Sequence, residues 1–141
     1  MGISIAPGRY DLISKIIDEL NCAEIIEFSV LSGPSVLPQT AGVYVIFNKW
    51  TYEVYYVGKT TNLRQRLYHN HLMGPTTNAR LKKYLIDDPE FPNILSAAEA
   101  KKYIRENCSC VFVLEPDMRH RGHLEGLLSF LTDCRYVDKE H

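Results

Sequence analysis

The side chains best suited to chemistry gather in the middle of the chain. Lys59, Arg64, Arg66, Arg80, Lys82 and Lys83 lie within one stretch, with Tyr55, Tyr68 and Tyr84 interleaved. Cations that meet phosphates and rings that meet bases are the ingredients of a nucleic-acid surface. Lys82-Lys83 reads equally as a solvated helix face. Arg119 and Arg121 either extend such a surface or are ordinary exposed residues, and Trp50 either stacks on a base or plugs its loop. The four cysteines suggest no such chemistry. Cys108 and Cys110 alternate ahead of Val111-Phe112-Val113-Leu114, as small residues do in a packed strand. Zinc, with His120 or His123 as further ligands, is the weaker reading, because no second Cys or His pair stands at finger-like spacing.

The elements that must position these residues follow from the pattern. Gly42-Val43-Tyr44-Val45-Ile46-Phe47 and Val54-Tyr55-Tyr56-Val57-Gly58 are short, β-branched and aromatic, and predict an antiparallel hairpin with a long loop at residues 48–53. Gly58 ends the second run, where a sharp backbone turn suits a residue without Cβ. A helix is expected from Asn62, with Gln65 at the reciprocal capping position, until Gly74-Pro75 stops it. Further helices are expected at residues 79–85, at 96–107 behind an N-cap Ser96 with Glu99, and at 120–132 with Leu124, Leu127, Leu128 and Leu131 as a buried stripe. Residues 108–114 read as a third core strand. Upstream, residues 10–20 have helical periodicity and residues 23–31 are β-prone.

The chain of 141 residues fits one folded unit. Its formal net charge is −1, so it lacks the basic surplus usual in dedicated DNA-binding domains and predicts weak binding on its own. No apolar run approaches a membrane span. The N-terminus shows no charged region followed by an apolar one, so the cytoplasm and reduced thiols are expected.

Gly42-Val43-Tyr44 followed by Tyr56-Val57-Gly58 resembles the pair of tripeptides that names the GIY-YIG endonuclease family. Leu37-Pro38-Gln39-Thr40-Ala41 resembles the lead-in seen in the nuclease subunit of bacterial excision repair. Lys59-Thr60-Thr61-Asn62-Leu63-Arg64-Gln65-Arg66-Leu67 continues the match, with Arg66 eight residues after Gly58. The resemblance is close over residues 37–72 and looser over 108–136; the ordered set is far more specific than either tripeptide alone.

The resemblance implies an α/β (α+β) fold with a central three-stranded antiparallel sheet flanked by helices. An N-terminal helical extension, residues 1–36, precedes the nuclease-like domain, residues 37–141. It implies hydrolysis of DNA phosphodiesters, with RNA as an alternative substrate. A nucleic-acid-binding module of the same fold with little cleavage is the competing reading. Hydrolysis of an anionic ester needs a positioned water, a base, and cations where charge develops. By resemblance Tyr44 acts on the water, Tyr56 bonds within the same site and Arg66 neutralises the phosphate. Glu125, in Leu124-Glu125-Gly126-Leu127-Leu128, holds one Mg²⁺ or Mn²⁺ ion. Lys59, Arg64, Lys82 and Lys83 are the expected nucleic-acid contacts. Many members carry a histidine four residues after the arginine, where this chain has Asn70. His69, three residues after Arg66, is expected on the same helical face and His71 off it, giving His69 a supporting role. Many members also end with an asparagine about twelve residues after the glutamate, where this chain has Val137 beside Asp138. Targeting would come from a homodimer, a separate partner or the N-terminal extension.

Overall fold

Strand β2 (Gly42–Asn48) carries large apolar residues at nearly every position, and all seven are buried. Burial on both faces needs layers on both sides, which is what the chain builds. The computed structural model describes residues 2–76 and 80–138. Within it, β2 pairs antiparallel with β3 (Val54–Thr60) and with β4 (Cys108–Leu114). The expected three strands are joined by a fourth. Ile26–Glu27, the two-residue β1, pairs antiparallel with β4, giving the order β1-β4-β2-β3. Phe28 and Leu31, just beyond β1, are buried in the core. Residues 26–31, expected within an extension, therefore belong to the sheet and its packing. Helix α1 (Arg9–Cys22) has no fully buried residue and packs its Ile16 and Leu20 against the sheet from outside.

The period-2 alternation of β2 sends Tyr44 and Ile46 to one face and Val43, Val45 and Phe47 to the other. The first face packs Leu63, Leu67 and Leu72, then Leu81 and Leu85 of α2 (Leu81–Asp87) and Ala100 and Ile104 of α3 (Ala97–Asn107). The second face packs Leu128 of α4 (Met118–Thr132), with Leu124, Ile16 and Leu20 partly buried against it. The expected stripe of α4 is thus only partly used, since Leu131 is exposed.

Side-chain caps fix the helix starts. Ser96 Oγ accepts from Glu99 N at 3.3 Å while Glu99 Oε1 accepts from Leu95 N at 3.3 Å. Asp117 Oδ1 accepts from His120 N at 2.9 Å, so α4 begins two residues earlier than its apolar pattern indicates. The start expected for α2 at Ala79 lies outside the described residues.

The helix after β3 departs most from expectation. Asn62 Oδ1 does accept from Gln65 N at 3.0 Å, as a cap should. Beyond it, residues Gln65–Leu72 form a π-helix, closed by a bond from Met73 N to Tyr68 O, five residues back, at 3.0 Å. Its wider turn takes in about one more residue than an α-helix does.

Candidate active site

Tyr44 faces Gly58 across the hairpin, and its ring lies over that glycine. A Cβ at position 58 would overlap the Tyr44 hydroxyl and come 2.8 Å from Cε1. Gly58 therefore serves not as the turn expected from the sequence but as a mid-strand gap that admits a phenol. Gly42 is set by a similar approach: a Cβ there would run into the carbonyl oxygen of Val113 and come 2.9 Å from Leu63 Cδ1. Both motif glycines are explained by close packing in extended strands.

The Tyr44 hydroxyl is 2.7 Å from Nε2 of His71, and both residues are buried. The Tyr56 ring completes the cluster, 6.3 Å from Tyr44 and 5.2 Å from His71 between centroids. His71 is the residue that sequence reasoning set aside. Under α-helical spacing His69 shares the face of Arg66 and His71 does not. Under the wider π turn the histidine five residues after Arg66 reaches the tyrosines, while His69 is exposed and its ring meets only Tyr68, at 5.1 Å. The available signal was a histidine one position beyond the family's usual spacing.

The electrostatics tie the remaining residues to this cluster. Burial pushes the Tyr44 phenol well above its ordinary value; Tyr56, Glu125 and Asp138 raise it further, and Arg66 opposes them. Tyr56 is raised in the same way, by burial first, then by Asp138 and Tyr84. Burial lowers His71 to about 3, with Arg66 and Lys82 adding to the effect, so the imidazole is neutral. Among the described residues its buried Nδ1 has no hydrogen-bond partner.

Glu125 lies on α4, which packs against β3, and it acts electrostatically on the tyrosines of the opposite face. The backbone N–H and the ammonium of Lys59 both favour its ionised form. Burial raises the Glu125 pKa and Asp138 adds to that, while the Lys59 ammonium opposes it. Lys59 Nζ runs beside Gly122, 3.6 Å from where a Cβ would stand.

Asp138 arrives at the far end of the C-terminal segment. That segment is fastened to the outer edge of β3 by bonds from Arg135 N to Val54 O and from Tyr136 N to Tyr55 O, both 3.0 Å. Tyr84 donates to Asp138 at 2.7 Å and Arg80 reaches it at 3.4 Å. The Tyr84 ring in turn lies 6.3 Å from Tyr56. Asp138 thus borders the site, at a position that the sequence marks only as a departure from the family's pattern.

Three residues expected on a binding surface are used for structure. Lys82 is buried, and its Nζ donates to the carbonyls of Leu72 and Gly74 at 2.8 and 2.5 Å. Arg121 is buried, with Nη1 on the carbonyls of Glu115 and Pro116. Tyr55 is buried and bonded to Tyr103 at 2.8 Å. Arg64 is half-buried and spends its Nε on the carbonyl of Leu37 at 2.8 Å. Lys83 is exposed and paired with Asp87 at 3.2 Å. Trp50 is exposed, beneath the ammonium of Lys49 at 4.8 Å, and plugs nothing.

The donors around Glu125 are hard oxygens: its own carboxylate, that of Asp138 and the phenols. Such a set suits a hard divalent cation that keeps most of its waters. Among the described residues no group of three or more His, Cys, Asp and Glu side chains comes together. All four cysteines are free thiols, Cys108 and Cys110 being buried in β4.

The fold is a helix-flanked antiparallel sheet in which paired tyrosines and a buried histidine meet on one face, with an arginine and a glutamate acting on them electrostatically. Residues 40–106 match the family described as the GIY-YIG catalytic domain, and this match supports assigning that part of the chain to the GIY-YIG family. That family is one of nucleases, whose substrates are nucleic acids. No curated protein matches the chain. No helix among the described residues is long and apolar enough to cross a membrane.

Proposed function

We propose that the chain is a metal-dependent endonuclease that hydrolyses DNA phosphodiesters. The observation that carries this reading is the buried hydrogen bond between Tyr44 and neutral His71, with Arg66 and Glu125 acting electrostatically on the same phenol. A phenol held so far above its ordinary pKa does not ionise alone at neutral pH. It can still take a proton from an attacking water while passing its own to Nε2 of His71. That relay uses the tautomer with the proton on Nδ1, and no free phenolate forms. Arg66 favours charge on the tyrosine oxygens and offers its fixed fork of donors to the scissile phosphate. Tyr56 orients the same phosphate or water from the neighbouring strand.

Glu125 would hold one Mg²⁺ or Mn²⁺ ion, with Asp138 at the border of the site. When bound, the ion stabilises charge on the leaving oxygen. Lys59, whose cation and N–H both favour the ionised form of Glu125, keeps that carboxylate ready. Lys59 and Arg80 are the cations best placed for flanking phosphates. Duplex cleavage by one site per chain requires a second copy or a second event, and targeting requires a partner or the N-terminal segment.

Supercoiled plasmid incubated with the purified protein and Mg²⁺ or Mn²⁺ tests the reading. Nicking by the wild type, lost in both Arg66→Ala and Glu125→Ala, is the expected result. Wild-type cleavage no greater than that of the two variants overturns it and favours the binding-module reading. A single-stranded RNA in place of the plasmid decides between the two polymers.

A further inference from the structure

Lys82 is an expensive residue to place where it lies. An ammonium removed from water loses hydration that only strong hydrogen bonds restore. Among the described residues no carboxylate takes that role. Nζ donates instead to the carbonyls of Leu72 and Gly74, the first and third residues after His71. The Leu72 carbonyl is one that the helix end leaves without an intrahelical partner, and a cation there also answers the helix dipole. The helix concerned is π-helical, an arrangement rarely held by propensity alone and often found at functional sites. Met73 N reaches back to Tyr68 O while Gly74 N reaches Asn70 O at 3.2 Å, so the wide turn closes within two residues of His71. Lys82 binds on both sides of that closure. It is also near enough to His71 to disfavour the imidazolium.

We propose that Lys82 is a positioning residue for the nuclease site, an internal cap that holds the π turn and so keeps His71 against Tyr44. The proposal rests on the nuclease reading for its catalytic consequence, but its structural half does not. A cap without this role would stabilise α2 and the helix end and leave the distance between the two rings unchanged. A charge effect without it would change the protonation of His71 and leave the rings together.

The experiment is NMR of the full chain without substrate, comparing wild type with Lys82→Met. The Tyr44 and His71 rings have centroids 5.3 Å apart and should give clear nuclear Overhauser cross-peaks in the wild type. In Lys82→Met, with the carbonyls of Leu72 and Gly74 deprived of this donor, those cross-peaks are expected to disappear from a protein that remains folded. Cross-peaks of unchanged intensity overturn the proposal. Should Lys82→Met fail to fold, Lys82→Gln replaces it: shorter and uncharged but still a donor, it is expected to weaken the same cross-peaks, and unchanged intensity again overturns the idea. In the plasmid assay, kcat should fall by roughly 100-fold with KM nearly unchanged, the size expected for a misplaced proton acceptor. If the rings separate in the variant and the wild type never nicks, the positioning is upheld and the nuclease reading sinks. Nicking by the wild type with the rings unmoved in the variant would do the reverse.

Discussion

Gly58 shows how much one missing methyl can decide. In Gly58→Ala the added carbon must displace the Tyr44 ring, which is buried and cannot swing out freely. We expect a loss of about 2 kcal/mol in stability, in the range for overpacking, and a fall in nicking well beyond what that loss explains. Urea unfolding beside the plasmid assay checks both, and a variant with wild-type cleavage would contradict the placement of Tyr44. His71 makes a prediction about pH. Its folded pKa, about 3, lies below the ordinary 6.5, so the unfolded chain binds the proton across that window and the folded one does not. Stability is therefore greatest above about pH 6.5 and falls as the pH drops toward 3, by roughly 5 kcal/mol at most from this residue. His71→Gln should flatten that acid limb in denaturation measured between pH 4 and 7, approximately. An unchanged slope would mean that His71 is not buried neutral.

At the scale of elements, the π-helix is a one-residue accommodation. Arg66 and His71 are five apart in sequence, yet both act on Tyr44. Deleting Asn70 would leave the histidine four residues after the arginine, a spacing that an α-helix presents on one face. The deletion variant is therefore expected to fold with an α-helix here and to keep nicking within about tenfold of wild type. Complete loss of cleavage in a folded variant would show that the wide turn does more than absorb a residue. The same element explains what sequence could and could not reveal. Asn62 announced the start of the helix, and the capping bond to Gln65 is present. Nothing local announced the period, because a π turn depends on what closes its end, and that is Lys82 from the next helix.

Across the whole molecule, charge remains close to balanced, and folding consumes part of the basic side. Lys82 and Arg121 are buried, and Arg135 is shared among Glu53, Asp88 and Glu90. Those three of the 16 lysines and arginines are not available to phosphates. Binding to a short duplex should therefore be weak at physiological salt, in a range of roughly 10⁻⁴ to 10⁻⁶ M, with a shallow dependence on salt. Lys59→Ala should lower the slope of log K against log salt by about 1, whereas Lys82→Gln should leave it unchanged. Anisotropy titrations at several salt concentrations measure this, and an equal effect of the two substitutions would place Lys82 on the surface after all.

The sequence by itself made three of the four strands and the family resemblance legible. Strand periodicity, the paired tripeptides and the interval to Arg66 are local facts that survive into the fold because a central strand must be apolar on both faces. It also determined that Tyr44, Tyr56, Arg66 and Glu125 were the residues to follow. Only the tertiary structure decided which histidine joins them, why the motif glycines are glycines, and that Lys82 is internal. Each of these depends on a neighbour distant in sequence: Tyr44 over Gly58, the Val113 carbonyl against Gly42, Lys82 under the end of the π turn. Residue types and spacings name the groups that chemistry can use. Close packing between separate elements chooses which of them meet.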